Sequence, residues 1–387
     1  MTAALVRTLG DFDLAEELVQ ESLLEALEHW PKDGIPQRPG AWLLITARRK
    51  GLDRLRREAR YREKLALLEG DLMSDDTAEG DDRLRLIFTC CHPALPRDAQ
   101  VALTLRAVAG LTTTEIARAF ITNEATIAQR IVRAKRKIVE ANIPYRVPNE
   151  SEMADRVGEV LSVLYLMFNE GYLATTGARA SRRDLAEDAA WLAGLMVRLM
   201  PKEAEAIGLL ALMRLHLARS DARFDAAGNL VLLQEQDRRR WDQERISSAL
   251  ALLRRAGELR QPGPYQLQAA IAACHAESPS WEGTDWQQIV GLYDVLARMD
   301  PSPVVELNRA VAVAMRDGPA AGLALVDPLL KRGGLADYHL AHAARADLCR
   351  RLGRKAEARA SYERALTLAR QEPERRFLTQ RLAELRD

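Results

Sequence analysis

The sequence is short of cysteine, and the cysteines that are present form no metal or disulfide pattern. Four occur among 387 residues, which excludes the disulfide-dense scaffolds of small secreted domains. Cys90 and Cys91 precede His92, but no second ligand pair follows at the spacing of a zinc site. We therefore expect no metal and no other cofactor, and interpret the cysteine pair as buried apolar residues at a helix end.

Long hydrophobic runs are also missing. No apolar stretch approaches the roughly 18 residues of a membrane span, and the start, MTAALVRTLGDFD, lacks the apolar core of a signal peptide. The sequence therefore predicts no membrane partner and a cytoplasmic location.

Proline and glycine are sparse, at 16 and 22 residues, so few positions interrupt helices. The abundant leucine, alanine and arginine are strong helix formers. The sequence therefore predicts an all-α fold. Its net charge of +1 neither favours nor excludes nucleic acid, so the distribution of charge must decide.

Residues 111–138 have the pattern of two short helices joined by a tight turn. Apolar residues recur at helical spacing in two sets, Ile116, Ala119 and Phe120, then Ile127, Ile131 and Ala134. Thr112 or Thr113 can cap the first helix, with Glu115 completing a capping box. Asn123 can cap the second helix.

The outward face of the second helix has short polar groups near its start and cations toward its end. These residues are Thr126, Gln129, Arg130 and Arg133, followed by Lys135, Arg136 and Lys137. Such an order suits base edges in a major groove and the phosphates beside it, which indicates a helix-turn-helix. An ordinary helical hairpin with a solvated basic face is the alternative.

Two amphipathic helices of opposite charge precede this motif. The first, at about 14–30, has a strongly acidic face, which is either solvated or docks a basic partner. Its leucines are available for packing; they are Leu14, Leu18, Leu23, Leu24 and Leu27.

The second helix, at about 42–64, follows a proline- and glycine-rich loop. It is so rich in arginine and lysine that it predicts a surface that follows DNA phosphates. Residues 69–82 are acidic and predict a flexible linker that repels nucleic acid.

In this order the segments resemble the extracytoplasmic-function (ECF) sigma factors, the smallest members of the bacterial sigma-70 family. The resemblance is carried by DFDLAEELVQESLLEAL at 11–27, PGAWLLITARRKGLDRLRRE at 39–58 and residues 111–138. It implies that the acidic helix binds core RNA polymerase, that the basic helix melts and reads the −10 element, and that the helix-turn-helix reads the −35 element of promoter DNA.

The resemblance also implies roles for single residues. The polymerase would be contacted by Asp13, Glu16, Glu17, Gln20 and Glu21. The −10 single strand would be contacted by Trp42, Arg48, Arg49, Lys50, Asp53, Arg54 and Arg57. The −35 duplex would be contacted by Thr113, Asn123, Glu124, Thr126, Gln129, Arg130, Arg133 and Arg136.

The chain departs from the family in two places. The family usually has a longer helix before the acidic one, so part of the polymerase-binding surface is expected to be absent. Arg49 stands where the family often has asparagine, which changes the base contacts expected there.

The remaining residues predict a helical extension. Asp225, Glu235 and Asp237 lie near His216 in a stretch predicted to form a small hairpin or ordered loop. They are either acid-base candidates or, as we prefer, part of a buried salt-bridge network that braces the loop, because no nucleophile accompanies them. From residue 264 onward helix pairs recur at close to the roughly 34-residue spacing of tetratricopeptide (TPR) repeats, with Ala358, Ala365 and Tyr362 as packing residues.

The predicted domains are sigma region 2 at residues 1–67, an acidic linker at 68–82, region 4 at 83–143, a helical extension at 150–262 and TPR-like repeats at 263–387. With FNEGY at 168–172, the extension resembles that of one ECF subgroup. This implies that it regulates activity, with a regulatory protein as its partner.

The leading hypothesis is a promoter-specificity subunit that performs no covalent chemistry. The alternative is a helix-turn-helix transcriptional regulator with a repeat-type sensor domain, which would bind an operator alone as a dimer. The second basic helix argues against that alternative. A repeat scaffold or hydrolase with incidental basic helices is the weakest hypothesis.

Overall fold

The computed structural model describes residues 1–9, 11–57, 79–120, 122–173, 179–225, 227–369 and 371–385. Within these ranges the chain is helical, as predicted, and contains no β-strand. It divides into two compact units, Met1–Val163 and Leu164–Asp387. Among the described helices, none is both long and apolar enough to cross a membrane.

The helices of the first unit are α1 (Thr2–Leu9), α2 (Phe12–Asp33), α3 (Pro39–Arg57), α4 (Glu79–Cys90), α5 (Arg97–Thr104), α6 (Thr113–Ala119) and α7 (Glu124–Glu140). A π-helical turn, Leu105–Ala109, extends α5 and ends at Gly110, whose φ of 79° is left-handed and therefore favours glycine. The division between the units falls inside α8 (Glu150–Leu173).

The packing of α2 differs from the prediction. Its buried stripe consists of Phe12, Ala15, Leu18, Ser22 and Ala26, which recur at three- and four-residue spacing. Leu23, Leu24 and Leu27 lie off this stripe and are 44%, 61% and 73% exposed, so the prediction that they pack is wrong. The acidic helix therefore presents apolar surface to solvent as well as charge.

Helix α4 begins earlier than predicted, so residues 79–82 do not belong to the acidic linker. Asp82 explains the difference, because its carboxylate lies 3.3 Å from Arg7 and 3.1 Å from Arg85 while its side chain is 2% exposed. The Tyr145 hydroxyl lies between two carbonyl oxygens, that of Ala3 at 2.8 Å and that of Asp82 at 3.1 Å, and its single proton is shared between these two acceptors. These contacts tie α1, α4 and the segment after α7 together. The other residues of the predicted linker, and the end of the predicted basic helix, lie outside the described ranges.

The cysteine pair has the predicted position at the end of α4, and both side chains are fully buried. Burial raises the pKa of Cys91 to about 11 and raises the pKa of Cys90 well above its ordinary value. Both thiols are therefore protonated and packed as apolar groups.

The helices of the second unit after α8 are α9 (Arg179–Leu199), α10 (Ala204–Ala218), α11 (Gln243–Glu258), α12 (Pro264–Glu277), α13 (Trp286–Met299), α14 (Pro303–Asp317), α15 (Pro319–Lys331), α16 (His339–Arg351), α17 (Lys355–Leu368) and α18 (Glu372–Glu384). Helix α10 is the most central, since nearly all of its residues are buried. Between α10 and α11, an isolated antiparallel bridge joins Phe224 and Leu230, which gives the predicted small hairpin.

Helices α12 to α17 form the predicted successive pairs, and small residues lie where the helices cross. Ala358 and Ala365 are fully buried and Tyr362 is 1% exposed, as predicted. At Gly322, on α15, a Cβ atom would lie 2.4 Å from the Cβ of Ala314 and 2.9 Å from the carbonyl oxygen of Ala310. Only glycine allows α14 and α15 to approach this closely.

Replacing Gly322 with alanine is therefore expected to destabilise the second unit. Because the new methyl group forces α14 and α15 apart, the free energy of unfolding should fall by about 1–3 kcal/mol. Gly291→Ala is the matched control, since Gly291 lies inside α13 with nothing within 4 Å of an added Cβ. Alanine there should be neutral or stabilise by up to about 1 kcal/mol. Calorimetric unfolding of the full chain measures both effects, and equal transitions for the two variants would contradict the close approach.

Candidate functional site

The helix-turn-helix begins with the predicted caps. Thr112 and Glu115 form a capping box: the Thr112 hydroxyl oxygen accepts from the Glu115 amide at 3.2 Å, and the Glu115 carboxylate accepts from the Thr112 amide at 2.7 Å. The Asn123 side-chain oxygen accepts from the Thr126 amide at 2.7 Å. These bonds satisfy free amides at the starts of α6 and α7 and thereby fix where both helices begin.

Helix α7 buries one face and exposes the other. Ile127, Ile131, Ala134 and Ile138 are buried. The residues predicted to contact DNA lie mainly on the opposite face: Glu124, Gln129, Arg133 and Arg136 are exposed, and Thr126 and Arg130 are half-buried. Of the two other residues in that set, Asn123 is exposed at the cap and Thr113 is half-buried at the start of α6.

The arginines of this face differ in how they are held. The Arg130 guanidinium lies 3.2 Å from the Asp98 carboxylate, and Arg136 lies 2.6 Å from Glu140 on its own helix. Both pairs are largely solvent-exposed, so each stabilises the protein by about 1 kcal/mol or less and can be exchanged for a phosphate. Arg133 has no carboxylate at ion-pair distance among the described residues.

The prediction that Lys135, Arg136 and Lys137 together end the basic face is wrong for Lys135, which does not lie on that face. Its side chain is 10% exposed, and its ammonium group lies 2.7 Å from Asp13 and 3.3 Å from Glu16 on α2. The reason is helical spacing: Lys135 follows Ile131 by four residues and precedes Ile138 by three, which places it beside the buried face.

Other cations of the chain also contact the acidic helix. Glu16 lies 3.7 Å from Arg106, Glu17 lies 2.7 Å from Arg54, and Glu21 lies 3.7 Å from Lys50. Lys50 is also 3.0 Å from Glu25, and this hydrogen bond raises the pKa of Lys50. Gln20, the last residue predicted to contact the polymerase, is exposed. The acidic face of α2 is therefore paired inside this unit.

Helix α3 presents its predicted −10 residues unevenly. Arg49 is exposed, whereas Arg48 is only 7% exposed and cannot reach DNA in this conformation. Trp42 is half-buried, with its ring edge-on to Trp30 at a centroid distance of 5.6 Å. The side chains of Asp53 and Arg57 lie outside the described residues.

The acidic residues of the α10–α11 loop do not form the buried network that we preferred. Asp225, Glu235 and Asp237 are all exposed. Asp225 accepts from the amide and side chain of Asn229, which lowers its pKa, and Asp237 pairs with Arg239 at 3.0 Å, which lowers its pKa too. The contacts of Asp225 and Asp237 are thus local and solvated, whereas Glu235 lies 3.6 Å from Arg381. Elsewhere in the described chain no group of three or more histidine, cysteine, aspartate or glutamate residues could hold a metal ion.

Sequence reasoning missed the contact between α2 and α7. Asp82, Arg106 and Tyr145 were not singled out, because each joins segments far apart in sequence. Only Lys135 had a usable signal, namely its spacing from Ile131 and Ile138.

Comparisons with known proteins find sigma-70 regions in the parts of the chain that contain α2, α3 and α7. Residues 2–61 match the family model for Sigma-70 region 2, and residues 85–138 match that for Sigma-70, region 4. Residues 156–257 match a family of unknown function (DUF6596).

Individual proteins also align with this chain. An uncharacterised protein of Rhizobium meliloti is 45% identical, and the alignment covers 99% of this chain and 92% of that protein. The ECF RNA polymerase sigma factor SigK of Mycobacterium ulcerans is 33% identical over 34% of this chain and 73% of its own length. SigK of Mycobacterium bovis is 32% identical over 34% of this chain and 74% of its own length. Since SigK of Mycobacterium ulcerans is 33% identical over 73% of its own length and this chain matches both sigma-70 region models, the chain belongs to the ECF sigma factors of the sigma-70 family, in a form with a long C-terminal extension.

Proposed function

We propose that this sigma factor binds core RNA polymerase through α2 and reads the −10 and −35 elements through α3 and α7, starting from a closed arrangement. The closed arrangement is the contact of Lys135 on α7 with Asp13 and Glu16 on α2. This contact is the observation that carries the proposal, because it joins the predicted polymerase-binding helix to the predicted −35 helix. As a partner of the polymerase, the protein would act in the cytoplasm.

The exposed side of α2 suits a protein partner with basic and apolar groups. Its carboxylates already attract Lys135, Arg106, Lys50 and Arg54 within the chain, so basic groups of the polymerase can replace these cations one for one. Such exchange of half-exposed ion pairs changes the free energy little. The exposed Leu23, Leu24 and Leu27 add apolar area that a partner can bury, which supplies a net gain at about 25 cal/mol per Å².

The outward face of α7 suits the −35 duplex. Thr126 and Gln129 lie near the start of the helix, where short polar groups reach base edges, and Arg133 follows one turn later. Arg136 and Lys137 are exposed at the end, where they can contact phosphates. Arg49 is exposed on α3, about two helical turns after Trp42, and a cation on the same helix as an aromatic ring suits single-stranded DNA.

The proposed role of the extension is to regulate activity by binding another protein. Supporting this, a groove of about 570 Å³ runs along the repeats, and its lining includes Leu340, Phe377 and Met315 together with Arg350 and Arg351. Leu340 is 45% exposed, so the groove offers apolar surface and charge to a peptide segment. We propose binding, and no covalent chemistry, as the function of both units.

Run-off transcription with purified core polymerase tests the main proposal. Fragments of the source genome are transcribed with and without the full chain. Defined start sites that share upstream −35 and −10 sequences are the expected result. Protection of a palindromic site by the protein alone, without polymerase-dependent transcripts, would favour an operator-binding regulator instead.

Lys135→Met should tighten binding to core polymerase. Methionine keeps most of the side-chain volume but removes the charge that holds Asp13 and Glu16, so opening costs about 1 kcal/mol less and affinity rises about fivefold. Lys137→Met is the matched control, since Lys137 is exposed on the same helix and should leave polymerase affinity unchanged. Titration of labelled protein with core polymerase measures both. Weaker binding of a folded Lys135→Met protein would mean that Lys135 itself contacts polymerase.

Arg133→Ala should weaken recognition of the −35 element. If Arg133 contacts a base, the loss is about 1–3 kcal/mol and the preference at one base pair relaxes. Val132→Ala is the control on the same helix, because Val132 is 62% exposed and uncharged. Transcription from promoters with single −35 substitutions provides the measurement, and an unchanged preference would remove Arg133 from the base-reading set.

A further inference from the structure

The second unit encloses a cavity that the promoter function does not use. Its volume is about 310 Å³, which is within the range of small-molecule sites in proteins. The walls come from five helices, α8, α10, α12, α13 and α14, and from the α10–α11 loop. The polar lining includes His216 and Arg219 at the end of α10, Trp241 before α11, and Gln268 and His275 on α12.

The cavity has an uncompensated positive charge. Arg219 is half-buried and bonds to His216 at 3.3 Å, with no carboxylate at ion-pair distance in the part of the chain that the structure describes. Arg238 lies behind the wall, its guanidinium 4.7 Å from the centre of the Trp241 ring, and donates to the carbonyl oxygen of Ser278 at 2.8 Å. The carboxylate of Glu282 interacts electrostatically with Arg238 but lies beyond ion-pair distance from it.

The two histidines of the cavity, His216 and His275, do not change its net positive charge. Burial, together with the charges of Arg219 and Arg238, lowers the pKa of His275 to about 4. Burial and Arg219 also hold the pKa of His216 well below its ordinary value. Both imidazoles are therefore neutral near pH 7, and the charge at the cavity is that of the arginines.

Two side chains of the wall also keep unsatisfied polar atoms. Trp241 is 4% exposed, and its indole N–H has no hydrogen-bond acceptor among the residues that the structure describes. The Nδ1 atom of His275 is likewise buried without a partner among them. Buried polar atoms of this kind are uncommon in folded proteins, because each one costs free energy. Here they coincide with the unpaired arginine at the same cavity.

We propose that this cavity binds a small organic carboxylate with an apolar ring or chain. The carboxylate would accept hydrogen bonds from Arg219 and, after a small rotation, from the indole N–H of Trp241. The apolar part would pack against Leu212, Leu215, Ile271 and Tyr293, which form the remaining wall. Binding at this site does not depend on the proposed promoter function, so the two can be tested separately.

The position of the cavity gives such a ligand a structural effect. Leu212, Leu215 and Trp241 lie within residues 156–257, which match the family of unknown function, whereas Ile271, His275 and Tyr293 belong to the first repeat helices. A bound carboxylate would therefore contact both parts of the extension at once and stabilise their packing.

The test uses three carboxylates, benzoate, phenylacetate and indole-3-acetate, each paired with its primary amide. Ligand-observed NMR and calorimetric titration against the full chain measure binding. At least one carboxylate should bind saturably, and its amide should bind about tenfold more weakly, because the charge-assisted hydrogen bonds to Arg219 are lost.

Two variants connect binding to the cavity. Arg219→Gln should weaken carboxylate binding by at least about tenfold. Trp241→Phe, which removes only the indole N–H donor and part of the ring, should weaken it severalfold and serves as the second variant if Arg219→Gln does not fold. Arg239→Gln is the control, since Arg239 is 91% exposed and pairs with Asp237 away from the cavity.

The possible results either support or overturn the proposal. Loss of carboxylate binding in folded Arg219→Gln or Trp241→Phe protein, with Arg239→Gln unchanged, supports it. It is overturned if none of the three carboxylates binds, if the amides bind equally well, or if the cavity variants bind like the unaltered protein.

Discussion

The attraction between one acidic helix and the cations that surround it determines how the first unit is put together. Helix α2 has carboxylates along a side that is not its buried stripe, and α3, α5 and α7 each bring cations to it. Individually these half-exposed pairs contribute little. The pairs of Lys135 with Asp13 and Glu16 join α7 to α2, and the pair with Glu16, whose side chains are 10% and 20% exposed, is the more shielded from solvent. A sigma factor contacts both a protein and DNA, and surfaces of opposite charge suit those two tasks. Their mutual attraction within one chain is a direct consequence.

The same reasoning explains why the pairing is reversible. An apolar contact of equal area would hold the helices together irrespective of the partner. Ion pairs can instead be exchanged for pairs with phosphates or with a basic protein surface, at small net cost. Screening by salt weakens the internal pairs as well, within a Debye length of about 8 Å at physiological ionic strength.

Much of this could be predicted from local sequence. The successful predictions all depend on residues that are close together in the chain. They are the caps at Thr112 and Asn123, the burial of Cys90 and Cys91, the helix pairs after residue 264 and the packing role of Tyr362.

Predictions failed where a residue's environment is set by a distant segment. Residues 79–82 have the composition of a linker, yet Asp82 is buried against Arg7 and Tyr145, which come from either end of the first unit. Leu23, Leu24 and Leu27 are apolar, but they lie off the stripe of α2 that the rest of the unit buries. The cavity of the second unit could not be predicted, because its walls come from segments more than 100 residues apart, from Tyr165 to Tyr293.

The placement of Lys135 on the same helix as the −35 residues has a thermodynamic consequence. In the closed arrangement, duplex DNA at α7 approaches a helix lined with carboxylates, whose field repels phosphates. In the proposed mechanism, separating α2 from α7 would remove that repulsion and, in the same step, free Asp13 and Glu16 for the polymerase. Both ligands would then favour the open form and be positively linked: the factor by which core polymerase raises affinity for the −35 element would equal the factor by which that element raises affinity for core polymerase. One lysine between two helices would then couple promoter recognition to polymerase binding.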